Sequence, residues 1–146
     1  MTYEEWEVTV PAAIREDVIW RVQAFRLASF LAAAADLDCE EIGGQARFAK
    51  VAAQLTSAAA SIPANIAEGY ARLSPRDRVR FYEYAYGSAA EAKSRYLSLN
   101  RALSEGVTSE RVLTLTSISR LLLKMIRSGR PRPSESLART PPPSLP

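Results

Sequence analysis

Leu73 and Ser74 are almost the whole link between two long apolar periods, and that short link constrains the chain more than any other feature. Before it, Phe48, Val51, Leu55, Ala59, Ile62 and Ile66 recur every three or four residues. This is one face of a helix from about Gln45 to Arg72. After it, Phe81, Ala85, Ser88, Ala92, Tyr96, Leu99 and Leu103 repeat the pattern. So tight a turn sends the second helix back along the first, as an antiparallel hairpin. Ser74 is placed to cap the second helix, Pro75 to take its first position, and Asp77 to complete a capping-box-like pair. Gly106 is its expected end.

Two further helical periods flank the hairpin, and no useful strand-like alternation appears. One runs from about Pro11 or Ile14 to Ala35 on Ile14, Val18, Val22, Phe25 and Ser29. The other begins near Thr108 or Ser109 on Val112, Leu115, Ser119, Leu122 and Ile126, with Gly129 placed as a left-handed stop before Pro131. The expected fold is all-α, an up-down-up-down antiparallel four-helix bundle over residues 14–129. Residues 1–13 are an N-terminal extension, loose unless Trp6 and Val8 dock on the bundle. Residues 130–146 hold six prolines and form an expected disordered Pro-rich C-terminal tail.

The composition excludes much chemistry. There is no histidine, so the usual general base and the commonest metal ligand are missing. A single cysteine, Cys39, makes neither an intrachain disulfide nor a zinc site. Gly43-Gly44 lacks the strand and the Lys-Ser/Thr of a phosphate loop. Glu68 and Glu91 are the nearest thing to paired acids, and structural carboxylates explain them better than catalysis. No enzyme activity, metal or cofactor is expected. No apolar run approaches the ~20 residues of a membrane span. Met1–Trp6 is acidic and unlike a secretory signal, so the cytoplasm is the expected compartment.

Helices two and three each carry a second face: Gln54, Ala58, Ser61, Asn65, Glu68 and Arg72 on one, Arg80, Tyr84, Gly87, Glu91, Ser94 and Ser98 on the other. Small residues permit close approach, and polar ones then need partners. A buried or subunit-facing network is expected there, with Asn65 and Glu68 level with Tyr84, Ser88 and Glu91, and Arg72 or Arg95 neutralising the carboxylates. Pro63 removes a backbone donor and is expected to bend its helix.

Charge is uneven along the chain. Residues 1–41 hold nine acids against Arg15, Arg21 and Arg26, whereas residues 42–128 hold thirteen bases against six acids. Arg72, Arg76, Arg78 and Arg80 cluster at the hairpin turn, and Tyr82, Tyr86 and Lys93 follow. Guanidinium groups interleaved with tyrosines suit phosphate contact and base stacking in RNA or DNA. A protein–protein adaptor without nucleic-acid contact is the alternative.

The stretch Ser61-Ile62-Pro63-Ala64-Asn65-Ile66-Ala67-Glu68-Gly69-Tyr70, with Gln54-Leu55 before it and Arg80-Phe81 and Gly87-Ser88-Ala89-Ala90-Glu91 after it, resembles a bacterial four-helix-bundle family. These are the proteins encoded in 23S rRNA intervening sequences. Accessory variability determinants of diversity-generating retroelements are more distant relatives. The resemblance covers about Asp17 to Ser128. It implies a homopentamer, no catalytic activity and, in the retroelement branch, binding of nucleic acid and a reverse transcriptase. It also marks Ser61, Pro63, Asn65, Glu68, Gly69, Gly87, Ser88 and Glu91 as structural positions. Here Leu73-Ser74-Pro75 interrupts a turn that is usually more basic, the segment Asp36–Gly44 is acidic, and the Pro-rich tail is an addition.

Overall fold

Residues 1–129 are described by the computed structural model, and they contain helices and turns but no strand. Four long helices carry the fold: α3 (Gln23–Ile42), α4 (Ala46–Ala71), α5 (Pro75–Leu99) and α6 (Val107–Gly129). Each packs on the next, and α6 returns against α3, which closes an antiparallel four-helix bundle. Before them lie two short helices, α1 (Tyr3–Glu7) and α2 (Ala12–Arg15), and a 3₁₀ turn, Val18–Arg21. Residues 130–146, with the expected Pro-rich tail, lie outside the described residues.

The apolar periods meet at the bundle axis. Leu31, Leu55, Ile62, Ile66, Tyr96, Leu99, Leu115, Ile118 and Leu122 are fully buried. Each fully buried aliphatic side chain of this kind contributes ~1.5–3 kcal/mol. Alanines at Ala28, Ala35, Ala59, Ala85, Ala89 and Ala92 fill the narrow places between helices. The central hairpin matches its sequence closely. α4 is flanked by Gln45 and Arg72, and it continues unbroken past Pro63. The Ser74 hydroxyl accepts from the Asp77 N–H at 3.4 Å, with Pro75 in the first turn. The reciprocal half of the capping box does not form, because the Asp77 carboxylate turns to Arg80 at 3.6 Å.

Elsewhere the sequence expectation needs correcting. The first long helix starts at Gln23, not at Pro11 or Ile14. The Asp17 carboxylate accepts from the Ile19 N–H at 2.9 Å, and this local bond starts a new 3₁₀ turn instead of continuing a helix. Val22, at φ −81° and ψ 104°, then breaks the chain again. Ile14 and Val18 are accordingly exposed. The same helix does not stop at Ala35. It runs through the acidic segment to Ile42 and ends at Gly43, whose φ of +62° suits a residue without a Cβ.

α5 ends at Leu99 and not at Gly106. Gly106, at φ +84°, instead opens α6, and its carbonyl accepts from the Glu110 N–H at 3.1 Å. Gly129 is still helical and makes no left-handed stop. Its value is closeness, since a Cβ there would lie 2.8 Å from Val79 Cγ2 on α5.

The N-terminus is not a loose extension. Thr2 and Glu5 form a complete capping box on α1. Tyr3 and Trp6 then pack on Phe30 of α3, with ring centroids 5.7 and 5.9 Å away, and Trp6 also meets Trp20 at 5.9 Å. Val10 is buried, whereas Val8 points into solvent. No helix among the described residues is long and apolar enough to cross a membrane.

Candidate functional site

The α4–α5 hairpin is where the sequence motif becomes geometry. Ser61 Oγ lies 2.7 Å from Ser88 Oγ across the two helices. Gly69 is buried further along α4, and a Cβ there would meet the Tyr82 ring at 2.8 Å and Phe81 Cβ at 3.0 Å. Glycine at this position therefore lets α5 press its aromatic residues against the α4 backbone. Asn65 does not join a network between helices: its Nδ2 donates to the Ser61 carbonyl of its own helix at 2.9 Å.

The carboxylates also stay on their own helices. Glu68 pairs with Arg72 at 2.6 Å and Glu91 with Arg95 at 3.7 Å, both i,i+4. Glu68 and Arg72 are about half exposed, so their pair contributes only ~0.3–0.5 kcal/mol. The register set by Ser61 opposite Ser88 and Gly69 opposite Tyr82 brings Glu91 towards Ala58 and away from Glu68. Within a single chain, then, Asn65, Glu68 and Glu91 share no network, and the serine pair is the side-chain hydrogen bond that joins the two helices here. Gly87 faces outward with open space where a Cβ would stand, and Pro63 is half-buried.

At the turn, four arginines gather as their spacing predicts. The Arg72 and Arg80 guanidinium groups lie 4.8 and 5.3 Å from the centroid of the same Phe81 ring. Arg78 Nε donates to the Arg72 carbonyl at 2.7 Å, which ties the start of α5 to the end of α4. Arg76 is exposed, and with Asp77, Val79, Arg80 and Glu83 it lines an open depression of about 520 Å³. Arg127 and Lys124, near the end of α6, come to this same end of the bundle, where Gly129 meets Val79.

The other residues grouped with the arginines separate from them. Tyr82 is buried against Gly69, which removes it from any base-stacking surface; burial pushes its hydroxyl pKa up. Tyr86 is exposed but about three turns along α5. Lys93 is half-buried and ~27 Å from Pro75 at 1.5 Å per residue.

One feature of the interior escapes the local sequence pattern. Asp38 of α3 is buried and accepts from Arg111 of α6 at 2.8 Å (Nε) and 3.1 Å (Nη2) and from the Tyr96 hydroxyl of α5 at 2.7 Å. Three helices meet on this carboxylate. Its hydrogen bond holds the Arg111 proton more tightly, while burial and then the Asp38 charge push the Tyr96 hydroxyl well above the usual tyrosine range. Neighbouring Cys39 is pushed up to about 11, chiefly by burial and then by Asp38 and Asp36. A thiol so protonated is a poor nucleophile. Among the described residues no cluster of three metal-ligating side chains forms.

A family model described as 23S rRNA-intervening sequence protein matches residues 31–128. The chain belongs to that family. The matched span of this 23S rRNA-intervening sequence protein begins within α3 and ends within α6, so α1, α2 and the 3₁₀ turn precede it. A crystal structure of a protein of unknown function from the S23 ribosomal protein family of Bacteroides thetaiotaomicron superposes with a TM-score of 0.66. It is 19% identical, and the match covers 71% of this chain and 98% of that one. That likeness shows the fold of the bundle. A search of curated proteins returns no match.

Proposed function

We propose that this 23S rRNA-intervening sequence protein is a non-enzymatic, self-associating scaffold that contacts nucleic acid, alone or in a nucleoprotein, through the α4–α5 end of the bundle. The observation that carries the reading is the gathering of Arg72, Arg76, Arg78 and Arg80 on one stiff turn. Arg78 is held by its bond to the Arg72 carbonyl, and Arg72 and Arg80 lie on Phe81, so these three lose less side-chain freedom on meeting a phosphate, while Arg76 stands exposed beside them. Self-association is supported by exposed small residues on the outer faces of the same helices: Ala53, Ala60 and Ala64 on α4, Gly87 and Ser94 on α5. The family resemblance suggests five copies. A ring of copies would present several arginine turns together and multiply a weak single contact.

Replacing all four arginines with glutamine tests the site. Mobility shift of RNA and DNA is expected to weaken by more than tenfold, because fewer neutralised phosphates release fewer counterions. Unchanged binding rejects the site. A protein adaptor with no nucleic-acid contact is the second reading, favoured by the large apolar exposure of Leu97 and Leu113 on α5 and α6. Capture of a protein partner from nuclease-treated material, with no shift of RNA or DNA, selects it.

A further inference from the structure

The arginine turn also carries an apolar point. Leu73 is 92% exposed, the highest value among the exposed large apolar side chains of the described residues. It stands between Arg72 and the start of α5, with exposed Tyr70 three residues earlier, near the end of α4. A lone exposed leucine on a slack loop would mean little. This turn is not slack. The Arg72 N–H donates to the Gly69 carbonyl at 3.1 Å, and the Arg78 N–H to the Ser74 carbonyl at 3.0 Å. Arg78 Nε bonds the Arg72 carbonyl at 2.7 Å, so both sides of Leu73 are tied down. Four residues before it, Gly69 lies so near α5 that a Cβ there would stand 2.8 Å from the Tyr82 ring. The leucine is held outward on a stiff, basic support.

We propose that Leu73 is a wedge that enters an already open step of a structured RNA, a bulge or an unpaired base, while Arg76 and Arg78 hold the phosphates on either side. The proposal rests on the nucleic-acid reading above and narrows it to a helix with a gap. Apolar side chains that enter base steps must offset the loss of stacking. The gain from covering one leucine is similar to the cost of opening one stacked step, so on an intact helix the two cancel. At a bulge the step is open beforehand and the gain remains. Bulged bases are also where RNA exposes faces that a side chain can reach. An anionic membrane suits the tip less well, since one apolar side chain on a few arginines is a weak anchor.

Two RNA hairpins of equal length separate the cases, one fully paired and one with a single-nucleotide bulge flanked by 2-aminopurine. Anisotropy titrations of the full chain at one salt concentration are expected to give roughly tenfold tighter binding to the bulged RNA, the equivalent of partly burying one leucine. A change in 2-aminopurine fluorescence accompanies it. Leu73→Ser brings the ratio of the two affinities close to one, whereas Leu113→Ser, which removes another exposed leucine, leaves the ratio as it was. Equal wild-type affinities, or a ratio indifferent to Leu73→Ser, overturn the wedge and leave phosphate contact standing. Failure to bind either RNA removes the nucleic-acid reading and the wedge with it. Binding of phosphatidylserine vesicles in place of RNA, lost in Leu73→Ser, also overturns it and assigns the tip to a membrane.

Discussion

Arg111 and Asp38, 73 residues apart in the chain, share two hydrogen bonds of 2.8 and 3.1 Å inside the bundle. Their pairing fixes how α6 lies against α3, and the Tyr96 hydroxyl adds α5 to the same carboxylate. A buried ion pair is not in itself a large source of stability, but removal of one partner strands a charge.

Arg111→Met is therefore expected to destabilise the fold by ~3–5 kcal/mol. Asp38→Asn in the same chain should recover part of that loss, because no uncompensated carboxylate remains. Urea denaturation of the single and double variants measures both values. Equal stability of Arg111→Met and the wild type contradicts the pairing.

Gly69→Ala tests the close approach of α4 and α5. Its Cβ would lie 2.8 Å from the Tyr82 ring, so the helices must part or the ring must turn. A loss of ~1–3 kcal/mol is expected, as for other overpacked sites. Tyr82→Leu combined with Gly69→Ala should lose less than the two separate losses summed, and a thermodynamic cycle by urea denaturation reads the coupling.

Cys39 gives the pH dependence. Its folded pKa is raised from 9.0 to about 11, so the folded state holds the proton more firmly than the unfolded state. The linked stability is complete below about pH 9 and is lost as pH rises towards 11. Burial of Tyr96 acts in the same direction at still higher pH. Urea midpoints of the wild type should converge on those of Cys39→Ala between about pH 9 and 11, and alkylation of the native thiol at about pH 8 should be slow. A constant difference across that range contradicts the shift.

The sequence revealed the central hairpin because its signals are local. A two-residue link, a serine cap, an N-terminal proline and unbroken apolar spacing all act within a few residues, and the boundaries of α4 agree with them. α3 was legible only in part. Ile14 and Val18 have helical spacing, but Asp17 diverts the backbone, which spacing alone does not register. The acids at Asp36–Glu41 read as a connection because charge suggests solvent. Asp38 is buried only because Arg111 meets it from another helix, and no local pattern reports that partner. Gly43-Gly44 was the available sign of the true helix end. At the candidate site the arginine cluster was legible, but not the inward turn of Tyr82, which depends on the missing side chain of Gly69 on the facing helix.

Trp6→Ala tests whether the N-terminal helix belongs to the folded unit. It removes aromatic contacts to Phe30 and Trp20, and a loss of about 1–3 kcal/mol is expected, below the range for fully buried tryptophan. Thermal unfolding followed by far-UV circular dichroism checks it. An unchanged midpoint would mean a segment that contributes nothing to the bundle.

The central claim is that the arginine turn of α4 and α5 meets phosphates, and the salt dependence of binding tests it most directly. The logarithm of the association constant for RNA should fall linearly with the logarithm of salt concentration. Arg76→Gln together with Arg78→Gln should make that slope shallower by about 1.4–1.8, at ~0.7–0.9 for each phosphate no longer neutralised. Identical slopes for the variant and the wild type would contradict the account.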